Sequence, residues 1–295
     1  MPIQTKPLCS EIIVVSGAST GIGAATAREL AKRGFYVLAG VRRGIDADAL
    51  RVTNIEPIML DITNDADIAT LLKRIADDPE GRPLRALVNN AGIETNAPVE
   101  VLPLSEWRRI YDVNLFGHVA MTQALLPLLI ESRGTVVNIS SVGGKVAMAN
   151  YGPYASSKFA LEAVSDALRR EVELFGVKVI VVEPGAMTTE MSGRVGATAE
   201  RIISGMTTEQ HGRYATLIHS SISQAQTAIR KALPAAEAGR VIADAIASKR
   251  PRTRYTVGRG AWVIVLLTRF LSDRMLDSFL ARSLKSKPPK TLQTT

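Results

Sequence analysis

The sequence predicts an α/β fold: a single doubly wound parallel sheet with helices on both faces, followed by a C-terminal helical extension. Three observations predict it. Short β-branched runs alternate with helix-like stretches through the first 185 residues. Those runs are apolar on both faces, as strands covered by helices on each side must be. A glycine-rich turn joins the first run to the first helical stretch, where such α/β units turn tightly.

Strands are expected at residues 11–16, 35–40, 55–60, 84–89, 135–140 and 177–183, with 55–60 the weakest. Helical periodicity marks 22–33, 65–76, 105–130 and 155–175. Ser105 is a good N-cap type. Gly34 and Gly176 follow two of these helices, where a left-handed residue ends the helix. Strand–helix alternation implies right-handed crossovers. From Ala186 to about Pro234, Gly, Ser, Thr and Met become frequent and apolar stretches short. A segment of that kind, between a strand and the helix expected at 235–248, suits a mobile lid over a ligand site. A last strand is expected at 255–257. Residues 1–258 then form one unit, with 186–234 as its lid, and 259–295 a basic extension of one or two amphipathic helices.

Composition narrows the class. The chain has 295 residues, 46% hydrophobic and 22% charged, which excludes disordered and collagen-like chains. One cysteine, Cys9, excludes a disulfide framework and a multi-cysteine metal site. His118, His211 and His219 are too scattered for zinc, and no metal is expected. The N-terminus, MPIQTKPLCS, lacks the apolar core of a signal peptide. The apolar run at 261–267 falls far short of the roughly 18 residues that span a bilayer. A soluble, cytoplasmic protein is therefore expected. Residues 249–295 carry eleven Lys/Arg and two Asp/Glu, which accounts for the net charge of +8. Such a tail could meet an anionic surface. No aromatic and basic interleaving of the kind stacked bases need is present, so nucleic acid is not an expected partner.

The glycine turn reads Ser16-Gly17-Ala18-Ser19-Thr20-Gly21-Ile22-Gly23. Glycines there let backbone N–H groups approach a pyrophosphate at a helix N-terminus. The end of the second strand separates two nicotinamide cofactors: NAD calls for an acid at the ribose 2′-hydroxyl, NADP for positive charge at the 2′-phosphate. The chain has Val41-Arg42-Arg43 and no acid before Asp46. Arg42 can fork two N–H groups onto a phosphate, so NADP(H) is expected, with NAD(H) the alternative.

Tyr154 and Lys158 are four residues apart and share a helix face. A tyrosine near pKa 10 is a poor base at neutral pH, and a neighbouring ammonium is expected to lower that value. Such a phenol can exchange a proton with an alcohol. Ser141 stands thirteen residues earlier, just past the fifth strand; Asn89-Asn90-Ala91-Gly92 follow the fourth, and Asn114 lies in a long apolar helix.

In these motifs the sequence resembles the short-chain dehydrogenase/reductase family, closely over residues 10–190 and more loosely to 258. It is also similar, through the segment GFYVLAGVRR and the long C-terminal extension, to the retinol and hydroxysteroid dehydrogenase branch. The resemblance implies a Rossmann-type fold and hydride transfer between nicotinamide and an alcohol or carbonyl. It implies Tyr154 as general acid/base, Lys158 on the nicotinamide ribose, Ser141 orienting the substrate oxygen, and Asn114 fixing a water behind Lys158. Cofactor contacts are implied for Gly17, Ser19, Thr20, Gly21, Ile22 and Gly23, for Asp61 and Ile62 at the adenine, and for Ala91 and Gly92. Tyr154, Lys158, Pro184, Gly185, Met187 and Thr189 complete that set, with Asn89 stabilising the central strand. Ser16 replaces a threonine frequent in the family. The resemblance implies a homodimer or homotetramer, pairing through the helices that hold Asn114 and Tyr154.

Substrate choice is expected in residues 142–151 and 187–223. Met148, Met187, Met191 and Met206 offer either deformable apolar surface for a lipophilic substrate (steroid, retinoid or long-chain carbonyl) or core packing. The extension either closes the substrate mouth or dimer edge, or lies on an anionic membrane through Trp262, Leu266, Leu267, Phe270 and Leu271. A non-catalytic NADP sensor built on the same fold is the alternative function.

Overall fold

The computed structural model describes residues 10–284. Cys9, the N-terminal segment read for a leader, and residues 285–295 of the expected extension lie outside the described residues.

The chain alternates from its first strand. β1 (Ile12–Val15) leads to α1 (Gly21–Lys32), β2 (Tyr36–Val41), α2 (Gly44–Leu50), β3 (Ile55–Met59), α3 (Asp65–Ala76) and β4 (Leu84–Asn89). Then come α4 (Leu104–Tyr111), a π-helical turn (Asp112–Phe116), α5 (Gly117–Ser132), β5 (Thr135–Ile139), a 3₁₀ turn (Val142–Gly144), α6 (Gly152–Glu171) and β6 (Lys178–Pro184). The remainder is β7 (Met187–Thr188), α7 (Glu190–Gly193), α8 (Val195–Ser204), α9 (Thr208–Arg230), β8 (Leu233–Pro234), α10 (Ala235–Ala247), β9 (Arg254–Val257), α11 (Ala261–Phe270) and α12 (Asp273–Leu284).

Seven strands form one parallel sheet in the order β3-β2-β1-β4-β5-β6-β9. The order reverses between β1 and β4, so their carboxyl ends flank the crevice where such sheets bind ligands. Successive strand residues face opposite layers. Ile13, Val15, Val37 and Val182 pack with α1 and α10 on one face. Ile12, Val14, Leu38 and Val136 pack with α3 and α5 on the other. This is the doubly wound fold that the alternation predicts.

Several boundaries differ for identifiable reasons. The helix expected over 105–130 begins at Leu104, with Pro103 rather than Ser105 at the N-cap. It also slips into a π turn at Asp112–Phe116 before α5. A π turn inside an α-helix is uncommon and often marks a functional site; periodicity does not reveal one. The whole stretch, Leu104–Ser132, is long and apolar enough to cross a bilayer. Met121, Leu125 and Leu129 are nevertheless fully buried against the sheet, as in a core helix. α6 starts at Gly152, ahead of the expected 155, and stops at Glu171 before a 3₁₀ turn. Gly34 and Gly176 do adopt positive φ, +87° and +76°.

The segment expected as a mobile lid is largely helical and fastened. Its hydroxyls do not break α9, because Ser220, Ser221 and Thr227 each donate to the carbonyl four residues back. Thr207 and Gln210 form a capping box at its start. Asn150 donates to Ser221 Oγ at 2.8 Å in a buried contact, and Arg213 and Tyr214 both reach Glu100 at 2.6 Å. Sequence composition registers the hydroxyls but not these tethers.

The extension forms two helices. Ile264 and Val265 of α11 and Leu276 and Leu280 of α12 pack beside Val142 and Val146, next to the expected substrate segment. Trp262, Leu266, Phe270, Met275 and Phe279 remain exposed. Arg254, counted with the basic tail, belongs instead to the sheet, in β9, and pairs with Asp166 at 2.9 Å and Glu162 at 3.1 Å.

Candidate active site

The crevice at the strand-order reversal is closed at its base by polar side chains. Ser16 Oγ donates to Val88 O at 3.3 Å and accepts from the N–H groups of Asn90 and Ala91 at 3.0 and 3.1 Å. Asn90 Nδ2 returns two bonds, to Ser16 O and Gly17 O, both 2.9 Å. The glycine turn can approach this closely only without side chains. Gly17 has φ +62°, and a Cβ on it would lie 2.6 Å from Ala91 Cα. A Cβ on Gly23 would collide with Gly17 O and Asn90 Nδ2. Thr20, the N-cap of α1, makes no side-chain cap bond, so the helix N–H groups remain available to an anion. Ser19, Thr20 and Gly21 face Thr188 and Thr189 across a cleft of about 480 Å³. The donor set and the space suit a pyrophosphate.

The two arginines after β2 are not equivalent. Arg43 is spent on Asp46, with two bonds of 2.7 Å. Arg42 is exposed and has no ion-pair partner among the described residues. Asp61 Oδ1 accepts from Thr63 N at 3.0 Å and Thr63 Oγ1 at 2.7 Å. Burial opposes ionisation of Asp61, but these bonds and the charge of Arg42 hold its carboxyl below the usual range.

Some expected cofactor contacts face the core instead. Asn89 is fully buried and donates to Asn138 Oδ1 at 2.9 Å and Thr122 Oγ1 at 3.0 Å, tying β4 to β5 and α5. Ile62 is buried against α5 at Gly117, and Met187 lies in the core between the sheet and α10. Met187 is thus core packing rather than substrate surface, while Met148, Met191 and Met206 stay half-buried. Ala91 and Gly92 line the turn after β4, and Pro184 and Gly185 end β6, where Gly185 N donates to Val257 O at 2.7 Å. Ile22 is half-buried in α1, and Thr189 stands over Gly21.

Ser141, Tyr154 and Lys158 converge from β5 and α6. A Cβ on Gly143 would lie 3.4 Å from both Ser141 Oγ and Tyr154 Cε1, so serine and phenol abut the same small residue. Ser141 Oγ accepts from Gly143 N at 3.0 Å. Its neighbour Ser140 is buried, with its hydroxyl turned into the core. Lys158 Nζ donates to Ile139 O at 2.8 Å and lies 5.9 Å from the Tyr154 ring centre. Asn114, in the π turn, clamps Ile93 with two bonds of 2.9 Å and donates to Ser157 Oγ at 3.1 Å. A Cβ on Gly92 would lie 3.5 Å from Asn114 Oδ1 and 3.9 Å from Lys158 Nζ, so both groups border one small space.

The electrostatics differ from the sequence expectation. Burial pushes the Tyr154 phenol up; the charge of Glu94 acts in the same direction, and Ser141 pulls it back. The lowering expected from Lys158 does not prevail. Burial pushes Lys158 itself down to about 8, against the raising effect of Glu94 and Glu162. Glu94, Ser157, Ile93 and His118 were not legible as site residues. His118 lies on the buried face of α5 with Nε2 2.7 Å from Ala91 O, and burial keeps it neutral by pushing it down to about 3. Its only sequence signal was a histidine on an apolar helix. A second set lies behind Lys158: Lys145 bonds Glu162 at 2.6 Å, Arg254 bridges Glu162 and Glu183, and Thr256 donates to Glu183 at 2.7 Å. It braces the segment at 142–146 against β6 and β9. Among the described residues no group of three or more His, Cys, Asp or Glu could hold a metal ion.

One lysine should therefore lose its proton with a midpoint near 8, and that titration should vanish in Lys158→Met. Carbon-13 chemical shifts of the lysine ε-carbons measure it. A midpoint near the ordinary lysine value of about 10.4 would contradict the buried placement.

Comparison with known proteins agrees with this architecture. The family model described as short chain dehydrogenase matches residues 11–200. The chain is 33% identical to the NADPH-dependent 3-dehydrocapnine reductase of Ornithobacterium rhinotracheale, over 92% of this chain and 96% of that protein. It is 33% identical to retinol dehydrogenase 16 of Mus musculus, over 97% and 92% of the two chains. A short-chain dehydrogenase from Streptomyces avermitilis superposes with a TM-score of 0.72 at 28% identity, covering 92% and 94%. One from Burkholderia cenocepacia, solved in complex with NADP, gives 0.70 at 24% identity, covering 96% and 100%, and shows the shared fold. With its glycine turn, its reversed strand order and these relatives, the chain belongs to the short-chain dehydrogenase family.

Proposed function

We propose that the protein is an NADP-dependent oxidoreductase that moves a hydride between nicotinamide and the carbonyl or alcohol carbon of a lipophilic substrate. The observation that carries this reading is the convergence of Ser141, Tyr154 and Lys158 at the mouth of the crevice that holds the glycine turn. It also disfavours a non-catalytic NADP sensor, which has no use for that set.

The reduced nicotinamide, when bound, supplies the hydride. Ser141 Oγ and the Tyr154 hydroxyl hold the substrate oxygen, and Tyr154 gives its proton to that oxygen as the carbon accepts the hydride. A phenol held protonated by burial and by Glu94 suits this direction. Lys158 binds the ribose hydroxyls and stabilises the phenolate left behind. Asn114, bordering the same space as Lys158, positions the water that returns the proton. When the cofactor is bound, backbone groups of the glycine turn would hold its pyrophosphate, Asp61 its adenine and Thr189 its carboxamide. Arg42, which forms no ion pair among the described residues, takes the 2′-phosphate. The NADPH named for the Ornithobacterium relative supports that assignment. The retinol dehydrogenase relative supports a lipophilic substrate.

The exposed apolar row Trp262, Leu266 and Phe270, with Arg259, Arg269 and Arg274 around it, suits contact with an anionic membrane surface. Exposed Phe116 and Phe159 offer apolar surface for pairing two copies.

Tyr154→Phe should lower turnover by at least about 10²-fold while NADPH binding is kept; steady-state rates with long-chain ketones, beside cofactor titration, measure both. Retained turnover would refute the proton role. Arg42→Asp should weaken NADPH by about 10- to 100-fold, the range of a charge-assisted bond, and leave NADH little changed; equal effects on both cofactors would remove Arg42 from the phosphate. Vesicles containing phosphatidylserine should float the wild type but not a Trp262→Asp/Phe270→Asp variant. Equal flotation of the two would end the membrane reading.

A further inference from the structure

Ser141 and the Tyr154 phenol stand on separate elements, and two neighbours hold the serine. Its Oγ accepts from Gly143 N at 3.0 Å within the 3₁₀ turn and donates to Pro184 O, at the end of β6, at 3.4 Å. Beside each neighbour is a charged residue that hydride and proton transfer do not use. Lys145 closes the turn, with its N–H on Val142 O at 2.9 Å. Glu183 immediately precedes Pro184.

These two charges meet α6 in one buried cluster. Glu162 stands a helical turn beyond Lys158. Glu162 and Glu183 are only 5% and 1% exposed, which is costly for carboxylates unless cations meet them. Lys145 Nζ lies 2.6 Å from Glu162 Oε2 and 3.6 Å from Glu183 Oε1. Arg254 Nε lies 3.1 Å from the same Glu162 oxygen and 3.4 Å from Glu183 Oε1, while its Nη2 turns to Asp166 at 2.9 Å. Thr256 meets the other Glu183 oxygen. Oε1 of each glutamate accepts no hydrogen bond among the described residues, so neither cation is spare. The turn lies directly on this cluster. A Cβ on Gly144 would come within 2.7 Å of Ser140 Oγ and 3.2 Å of both Glu162 Cγ and Lys158 O.

We infer that Lys145 and Glu162 are positioning residues: their buried ion pair presses the turn that holds Ser141 against the helix that carries Tyr154 and Lys158, and so sets the gap between the serine hydroxyl and the phenol. Gly143 occupies that gap, since a Cβ on it would lie 3.4 Å from both Ser141 Oγ and Tyr154 Cε1. Without Lys145, Glu162 and Glu183 share Arg254, which Asp166 also engages, and the turn is released. Glu183 joins the second support of Ser141, at Pro184, to the same cluster. Both residues act through Ser141 rather than on the substrate.

The test uses the full chain loaded with NADPH, its tyrosines labelled with carbon-13 at Cε. The Tyr154 resonance is the one lost in Tyr154→Phe. Lys145→Met should move it in the same direction as Ser141→Ala, with NADPH binding kept, and Lys145→Arg should return it toward the wild-type position. Glu162→Gln, which keeps the buried shape, should act as Lys145→Met does, and it carries the test if Lys145→Met fails to fold. In kinetics with dodecan-2-one, Lys145→Met should lower kcat by about 10- to 100-fold, the cost of a small misplacement. In a Ser141→Ala background the same change should cost less than about twofold, because residues acting through one group do not add. An unmoved Tyr154 resonance in the folded variants would overturn the inference, whether or not the ketone reacts. Equal kcat losses in the two serine backgrounds would overturn it as well. The kinetic arm rests on the oxidoreductase reading above; the resonance does not. A moved resonance in a protein whose wild type reduces no lipophilic ketone would uphold the positioning and overturn that reading.

Discussion

The site is organised around the buried contact between the ends of β1 and β4. Where the sheet reverses its order, the chain must leave two adjacent strands in opposite directions, and the backbone groups so freed need partners. Ser16 and Asn90 supply them with four hydrogen bonds between the two turns. That lock fixes the glycine turn against Ala91 and sets the height at which α1 presents its N-terminus. It also fixes the start of the loop that carries Ile93 and Glu94. A single polar knot therefore relates the cofactor cleft to the reacting side chains.

The second organising feature is the π turn. The extra residue per turn at Asp112–Phe116 rotates Asn114 into the space between the loop after β4 and α6. The irregularity thus holds two elements of the site in register. The neutral His118 on the same helix adds a contact to Ala91 O.

Charge and burial act against each other at the centre. Tyr154 and Lys158 share a helix face, as their spacing implies, yet desolvation governs both groups in this structure. Removing water disfavours phenolate and ammonium alike. A carboxylate nearby helps the lysine keep its proton and hinders the phenol from losing its own. Spacing along a helix conveys which groups are neighbours, but not how much water each has lost.

Sequence periodicity marked the strands and most of the helices over them, because burial on two faces leaves a pattern local to each segment; α2, α8 and α9 left no such pattern. The glycine turn, Arg42 and the Tyr154–Lys158 spacing were readable as local patterns, whereas the roles expected of Ser141 and Asn114 came from the resemblance to the family. Only the tertiary structure decided that Arg43 pairs with Asp46 while Arg42 forms no ion pair among the described residues, that the Ile62 and Met187 side chains face the core, and that the hydroxyl-rich segment is a tethered helix. It alone placed the charge of Glu94 where the Tyr154 phenol feels it. Those outcomes depend on contacts between residues distant in the chain, and on the water such contacts exclude, neither of which a local pattern encodes.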